Sequence, residues 1–285
     1  MKPAALWFMT LLACAGCAVK QVPPPSPTPP TAAPAAPQVV VADLPAQAPD
    51  LPVLIAHVAP MTGPLWHLGR DNELGARLAV EELNARGVMI GKRRAQFSLV
   101  TRNDAGDPKR GVAVAEELVA LGVKGVIGHL NSGTTIPASA VYHRAGIPQI
   151  TPSATNPKYT TQGFKNAFRL LANDNALGAG LALHAVNNLK LKKVAIIDDR
   201  TAYGQGVAEV FAKTAKSKGM QVVDTQFTND KATDFMAILT AVKAKAPDAI
   251  FFGGMDPQAG PMLRQMEQLG MSNVKYFGGD GICTS

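Results

Sequence analysis

The chain has 285 residues, 47% of them hydrophobic, which is enough length and apolar content for one large or two medium domains with packed cores. Its formal charge of +7 comes from basic residues scattered along expected helical faces without interleaved aromatics, a solvated surface rather than a nucleic-acid footprint. Three cysteines are too few for a disulfide scaffold.

Residues 1–17 open with Met1-Lys2 and the apolar run Ala4 to Ala13, the short positive and apolar regions of an export signal, too short to span a bilayer. The segment ends in Cys14-Ala15-Gly16-Cys17, which resembles a bacterial lipobox. Cys17 best fits the small-small-Cys pattern as the lipidated residue, and Cys14, after Leu11-Leu12-Ala13, is the fallback. A redox or metal reading of this CxxC spacing is poor inside an export segment. Cys283 is then left alone in the folded part, with no intramolecular disulfide partner. A lone cysteine of this kind is expected to be buried or incidental.

Residues 18–52 hold eleven of the 22 prolines, mixed with Ala, Thr, Gln and Val. This composition reads as a disordered, polyproline-like tether, and at about 3.1 Å per residue it reaches up to roughly 100 Å from a membrane.

From Val53 the pattern becomes regular. Val53–Val58 reads as a buried strand and Asn72–Arg86 as a helix with apolar positions Leu74, Leu78, Ala79, Val80 and Leu83. Ala95–Thr101 is a second strand, and Asp107-Pro108 supplies an N-cap and an N1 proline for a helix to Leu121. Val123–Leu130 is a third strand, Ile136–Ala145 a helix and Ile147–Ile150 a fourth strand. The polar Asn173-Asp174-Asn175 reads as a turn, after which a second series begins. It runs strand 193–198, helix 204–217, strand 221–227, helix 235–244, strand 249–252, helix 258–269 and strand 274–277. Two βα series predict two lobes, 53–173 and 174–285, each a parallel sheet flanked by helices.

Between Gly125 and Pro157, two clusters of small hydroxyl residues follow two apolar runs. Asn131-Ser132-Gly133-Thr134-Thr135 follows the first and Thr151-Pro152-Ser153-Ala154-Thr155 the second. At the carboxyl ends of parallel strands such clusters present hydroxyls and backbone N–H groups to a small polar ligand, first of all a carboxylate.

Six motifs occur in order: Ala59–Pro64 (APMTGP), Asp104–Lys109 (DAGDPK), Gly128-His129-Leu130, Ser153–Pro157 (SATNP), Tyr203–Gly206 (YGQG) and Gly278–Gly281 (GGDG). Together, from about Pro52 onward, they resemble the leucine/isoleucine/valine-binding proteins of bacterial ABC transporters, which have the two-lobed type I periplasmic-binding fold. The resemblance implies an extracytoplasmic receptor that closes on a branched-chain or related amino acid and passes it to an ABC permease in the inner membrane. Ser132 would then take the ligand carboxylate, and Thr155 would share the carboxylate and ammonium. The Ser153 backbone would accept from the ammonium, Asp280 would pair with it where the family carries glutamate, and Tyr203 would cap the ligand from the second lobe. Met255 stands where an aromatic residue commonly lines the pocket. Trp66, in a Trp66-His67-Leu68 segment that replaces the family's short loop, is either an aromatic wall over the ligand or a loop-closing residue. Cysteines that form a disulfide in one family example are both replaced, by Gly106 and Asn131. The family's chain continues past the position of Ser285 to complete the first lobe. The expectation is therefore an incomplete first lobe with exposed apolar faces, poorly stable or unable to hold ligand unless something replaces the missing part.

No GxSxG, Walker or Rossmann glycine motif and no HxxxH or HExxH spacing is present, so neither catalysis, a cofactor nor a metal is expected. The localisation implied is the periplasmic face of the envelope, lipid-anchored. Ala18 or Ala15 after the candidate cysteine is compatible with outer-membrane sorting. That keeps open a second reading, a regulatory lipoprotein that senses an amide or small carboxylate without transport.

Overall fold

The computed structural model describes residues 50–284. Cys14, Cys17 and most of the expected tether lie outside the described residues. Its last part does not, because the first strand, β1 (Leu51–Ala59), already includes Leu51 and Pro52.

The first sheet is built from β1, β2 (Met89–Ile90), β3 (Arg93–Asn103), β4 (Gly125–Gly128), β5 (Gln149–Thr151) and β6 (Ala167–Arg169), in the order β2-β3-β1-β4-β5-β6. It is parallel except for the antiparallel β2–β3 pair. The helices α1 (Trp66–Arg86), α2 (Pro108–Leu121), α3 (Ser132–Arg144) and the single turn α4 (Lys158–Thr161) connect the strands. Helices α2 and α3 cover one face, burying Ala56, Val58, Val126, Val114, Leu118 and Tyr142 in a common core. Parallel pairing in register sets Thr101, His57, Ile127, Ile150 and Phe168 in a row on the opposite face, where α1 packs on β1 and β3.

The second sheet, order β10-β9-β7-β8, is all parallel. It comprises β7 (Lys193–Asp198), β8 (Gln221–Phe227), β9 (Ala249–Gly253) and β10 (Lys275–Gly278). Helices α5 (Asp174–Asn187) and α6 (Ala202–Ser217) cover one face, where Phe211 stacks on Phe251 at 4.0 Å between ring centroids. Helices α7 (Met236–Ala244) and α8 (Asp256–Gln268) cover the other, closing over Ile197, Ile250 and Phe252. A short 3-10 turn, Asp280–Ile282, follows β10.

Several expectations are corrected. Helix α1 starts at Trp66, six residues before the expected start, so Trp66-His67-Leu68 is a first helical turn and not a loop. Apolar periodicity hid that turn because its partners are polar or lie in the other lobe. Gly69 allows it, since a Cβ there would collide with the Pro60 carbonyl. Helix α3 starts at Ser132 and not at Ile136. The Asn173-Asp174-Asn175 turn is the start of α5, capped by Asn173 Oδ1, which accepts from the backbone N–H of Asn175 (3.1 Å) and Ala176 (3.3 Å). Strands β2 and β6 and helix α4, too short to leave a periodic signal, were not expected. Cys283 is exposed.

Candidate functional site

A cavity of about 130 Å³ lies between the lobes at the carboxyl ends of their strands. The first lobe contributes Leu68, Asn72, Leu130, Asn131, Ser132 and Ser153, and the second Tyr203, Met255, Asp280 and Gly281. Five of the seven sequence-predicted residues thus meet there: Ser132, Ser153, Tyr203, Met255 and Asp280. The other two do not line it. Trp66 is 56% exposed, and the residue of this helical turn that lines the wall is Leu68. Thr155 is fully buried behind the cleft, with no hydrogen-bond partner on its hydroxyl.

The first-lobe wall is donor-rich. Ser132 is the first residue of α3, and its Oγ accepts from the Asn156 N–H at 3.2 Å, leaving the hydroxyl hydrogen free. The start of a helix carries N–H groups without intrahelical acceptors and a partial positive charge, a setting for an anion. The loop behind is held firmly. Thr151 Oγ1 accepts from Ser153 N and Ala154 N, and Arg169 Nη1 donates to the carbonyls of Ala154 (3.3 Å) and Asn156 (2.9 Å). Asn131, the N-cap of α3, faces Gly106, so the two positions at which the family example carries cysteines are neighbours here.

The second-lobe wall is acceptor-rich. Tyr203 donates its hydroxyl to Asp280 Oδ1 (2.9 Å) and accepts from Gly281 N (2.8 Å), a pair of bonds that fixes the carboxylate at the cavity. Burial, and then the Asp280 charge, push the Tyr203 phenol above its usual range, so it stays a neutral donor.

Asp174 does not line the cavity and was expected only as part of a turn. It is fully buried at the start of α5, and neither carboxylate oxygen has a hydrogen-bond partner. Burial raises its pKa to about 6, with a further upward push from Asp280; the Thr155 side chain, near but without hydrogen-bond geometry, and Arg169 offset part of this. Its backbone N–H bonds the Thr155 carbonyl at 2.9 Å, which ties it to the hydroxyl cluster. An N-cap asparagine followed by Leu177 and Leu181 was the available signal that residue 174 begins a helix and not a turn.

Side-chain hydrogen bonds also cross between the lobes. His67 Nε2 of α1 pairs with Asp256 Oδ2 of α8 at 2.9 Å, and Asn156 Nδ2 donates to the Ala202 carbonyl at 2.6 Å. The remaining buried histidines are not at the cavity wall. His129 bridges Asp104 (2.8 Å) and Tyr142 (3.1 Å) inside the first lobe, and His57 lies under α1. Among the described residues no cluster of metal-ligating side chains occurs.

Residues 52–282 match the family model described as periplasmic binding protein. The chain belongs to this family. It is 38% identical over 233 residues to a Leu/Ile/Val-binding protein homolog of Brucella abortus, an alignment that covers 82% of this chain and 62% of that protein. Among solved structures, a leucine-binding protein from Thermotoga maritima superposes with a TM-score of 0.74 at 29% identity, covering 81% of this chain and 64% of that one. The branched-chain amino acid transporter substrate-binding protein of Streptococcus pneumoniae, in complex with isoleucine, gives 0.72 at 30% identity, covering 81% and 65%. The chain therefore has the type I periplasmic-binding fold and spans just under two thirds of the length of these relatives.

Proposed function

We propose that this chain is the ligand-binding part of an extracytoplasmic solute receptor that closes two lobes on a branched-chain or related amino acid and delivers it to an ABC permease. One observation carries the reading: the same cavity is lined from one lobe by Ser132 at the start of α3, a donor, and from the other by Asp280 held by Tyr203, an acceptor. A zwitterion leaving water needs donors at one end and acceptors at the other, and this cavity offers them on opposite lobes. The carboxylate goes to Ser132 and the ammonium to Asp280, with Asp174 and Thr155 behind it. Because each end engages a different lobe, ligand favours the closed arrangement over the open one. The cavity has room for a small ligand such as one amino acid. The related proteins of transporters support the permease as partner. The export signal and Cys17, or Cys14, support a lipid anchor on the periplasmic face.

Calorimetric titration with the twenty amino acids tests this. Saturable binding of at least one is expected, weakened about tenfold or more in Ser132→Ala and in Asp280→Ala, as each loses a charge-assisted bond. No heat from any amino acid at millimolar concentration overturns the proposal.

A further inference from the structure

With the ligand's two charged ends assigned as above to Ser132 and Asp280, Leu68, Asn72, Leu130 and Met255, beside Asn131 and Ser153, are lining residues left to meet its side chain. Leu68, Leu130 and Met255 are apolar and offer a surface for the methylene part. Asn72 adds a polar group on α1. Its Oδ1 accepts from Ser153 Oγ at 2.8 Å, which anchors the amide to the hydroxyl cluster and directs its other end away from Ser153. Among the described residues its Nδ2 has no hydrogen-bond partner.

We propose that Asn72 selects the ligand by its side chain. It favours an α-amino acid whose side chain carries a neutral hydrogen-bond acceptor, a carboxamide or a hydroxyl, over the aliphatic amino acid of the same shape. The inference rests on the amino-acid reading of the cavity and narrows it. An aliphatic side chain placed against Asn72 would expel the water from Nδ2 and leave both of its N–H groups unmet. A polar acceptor restores them at no cost in volume. Sites that hydrogen-bond a ligand discriminate strongly against the isostere that lacks the partner, whereas apolar pockets discriminate weakly. A negatively charged side chain is disfavoured, because the lining holds Asp280, with Asp174 behind it, and no lysine or arginine.

Two near-isosteric pairs provide the test: L-asparagine against L-leucine, and L-threonine against L-valine, titrated calorimetrically into the protein and into Asn72→Leu and Asn72→Ala. In the unaltered protein the polar member of at least one pair is expected to bind about tenfold or more tighter than its aliphatic partner. Asn72→Leu is expected to reverse that preference, and Asn72→Ala to abolish it. If leucine and valine bind as well as or better than their polar partners in the unaltered protein, this inference fails and the amino-acid reading stands. The inference also fails if the variants keep the polar preference. If no amino acid binds, both fail.

Discussion

In the second lobe β9 is buried along all five of its residues and helices cover both faces of its sheet. In the first lobe Ala56 and Val58 of β1 and Val126 of β4 pack on α2 and α3, while Ile127 and Ile150 on the opposite face are only half-buried and Phe168 is 50% exposed. The same face carries Leu74 and Leu78 of α1, both about half exposed, and beneath α1 a polar layer in place of a core. Glu73 is buried there with Arg70, Arg77 and Thr101, which together hold its carboxyl below the ordinary range although burial alone would raise it. His57 is buried beside them with no partner on either ring nitrogen. The difference teaches that similar apolar strands contribute unequally. The second lobe is the more fully packed, and the first lobe combines its one-sided core with polar groups and exposed apolar surface on the face opposite α3.

The largest expected contrast is in the cores. Phe251→Ala, which removes a ring stacked on Phe211 and edged by Phe277, is expected to cost about 3–5 kcal/mol in chemical denaturation. Phe168→Ala, at the half-exposed edge of the first sheet, is expected to cost under about 1 kcal/mol. Equal costs would erase the distinction between the lobes.

Next comes acid sensitivity, which the contrast assigns to the first lobe. Burial lowers the His57 pKa from 6.5 to about 4, with Glu73 and Asp104 opposing the shift. The unfolded chain takes up a proton below pH 6.5 while the folded one refuses it until about pH 4. Stability present above pH 6.5 is therefore lost as the pH falls through that window, by roughly 3 kcal/mol. Denaturation midpoints of His57→Leu measured between pH 7 and 4 should show a flatter acid limb than the parent; an unchanged limb would remove His57 from the account.

The smallest effect belongs to the cleft. The Asp174 carboxyl, raised to about 6, must ionise to help hold an ammonium, so affinity for an amino acid should fall by up to about tenfold between pH 7 and 5. Asp174→Asn should bind more weakly at pH 7 and lose that dependence. A parent affinity independent of pH in this range would place Asp174 outside the ligand's reach.

The second lobe was also the more legible in sequence. Strands buried on both faces read as continuous apolar runs, so Lys193–Asp198 and Ala249–Phe252 were found almost to the residue. The short β2 and β6 left no such run, and the first turn of α1 hid because Gly69 and the interlobe His67 are not periodic apolar residues. The cleft was legible where motif and geometry coincide, at Ser132, Ser153, Tyr203, Met255 and Asp280. Residue type alone left Trp66 open between an aromatic wall and a loop-closing residue and did not single out Leu68; in α1 it is Leu68 that lines the cavity, while Trp66 is 56% exposed. The start of α5 at Asp174 read as a turn because an Asn-Asp-Asn string suits a turn and a helix start equally well.

A crystal structure with the tightest-binding amino acid tests the central claim most directly. The account predicts the ligand carboxylate at the start of α3 beside Ser132 and its ammonium within hydrogen-bond distance of Asp280. A ligand bound with its ends exchanged, or outside the cleft between the lobes, would contradict it.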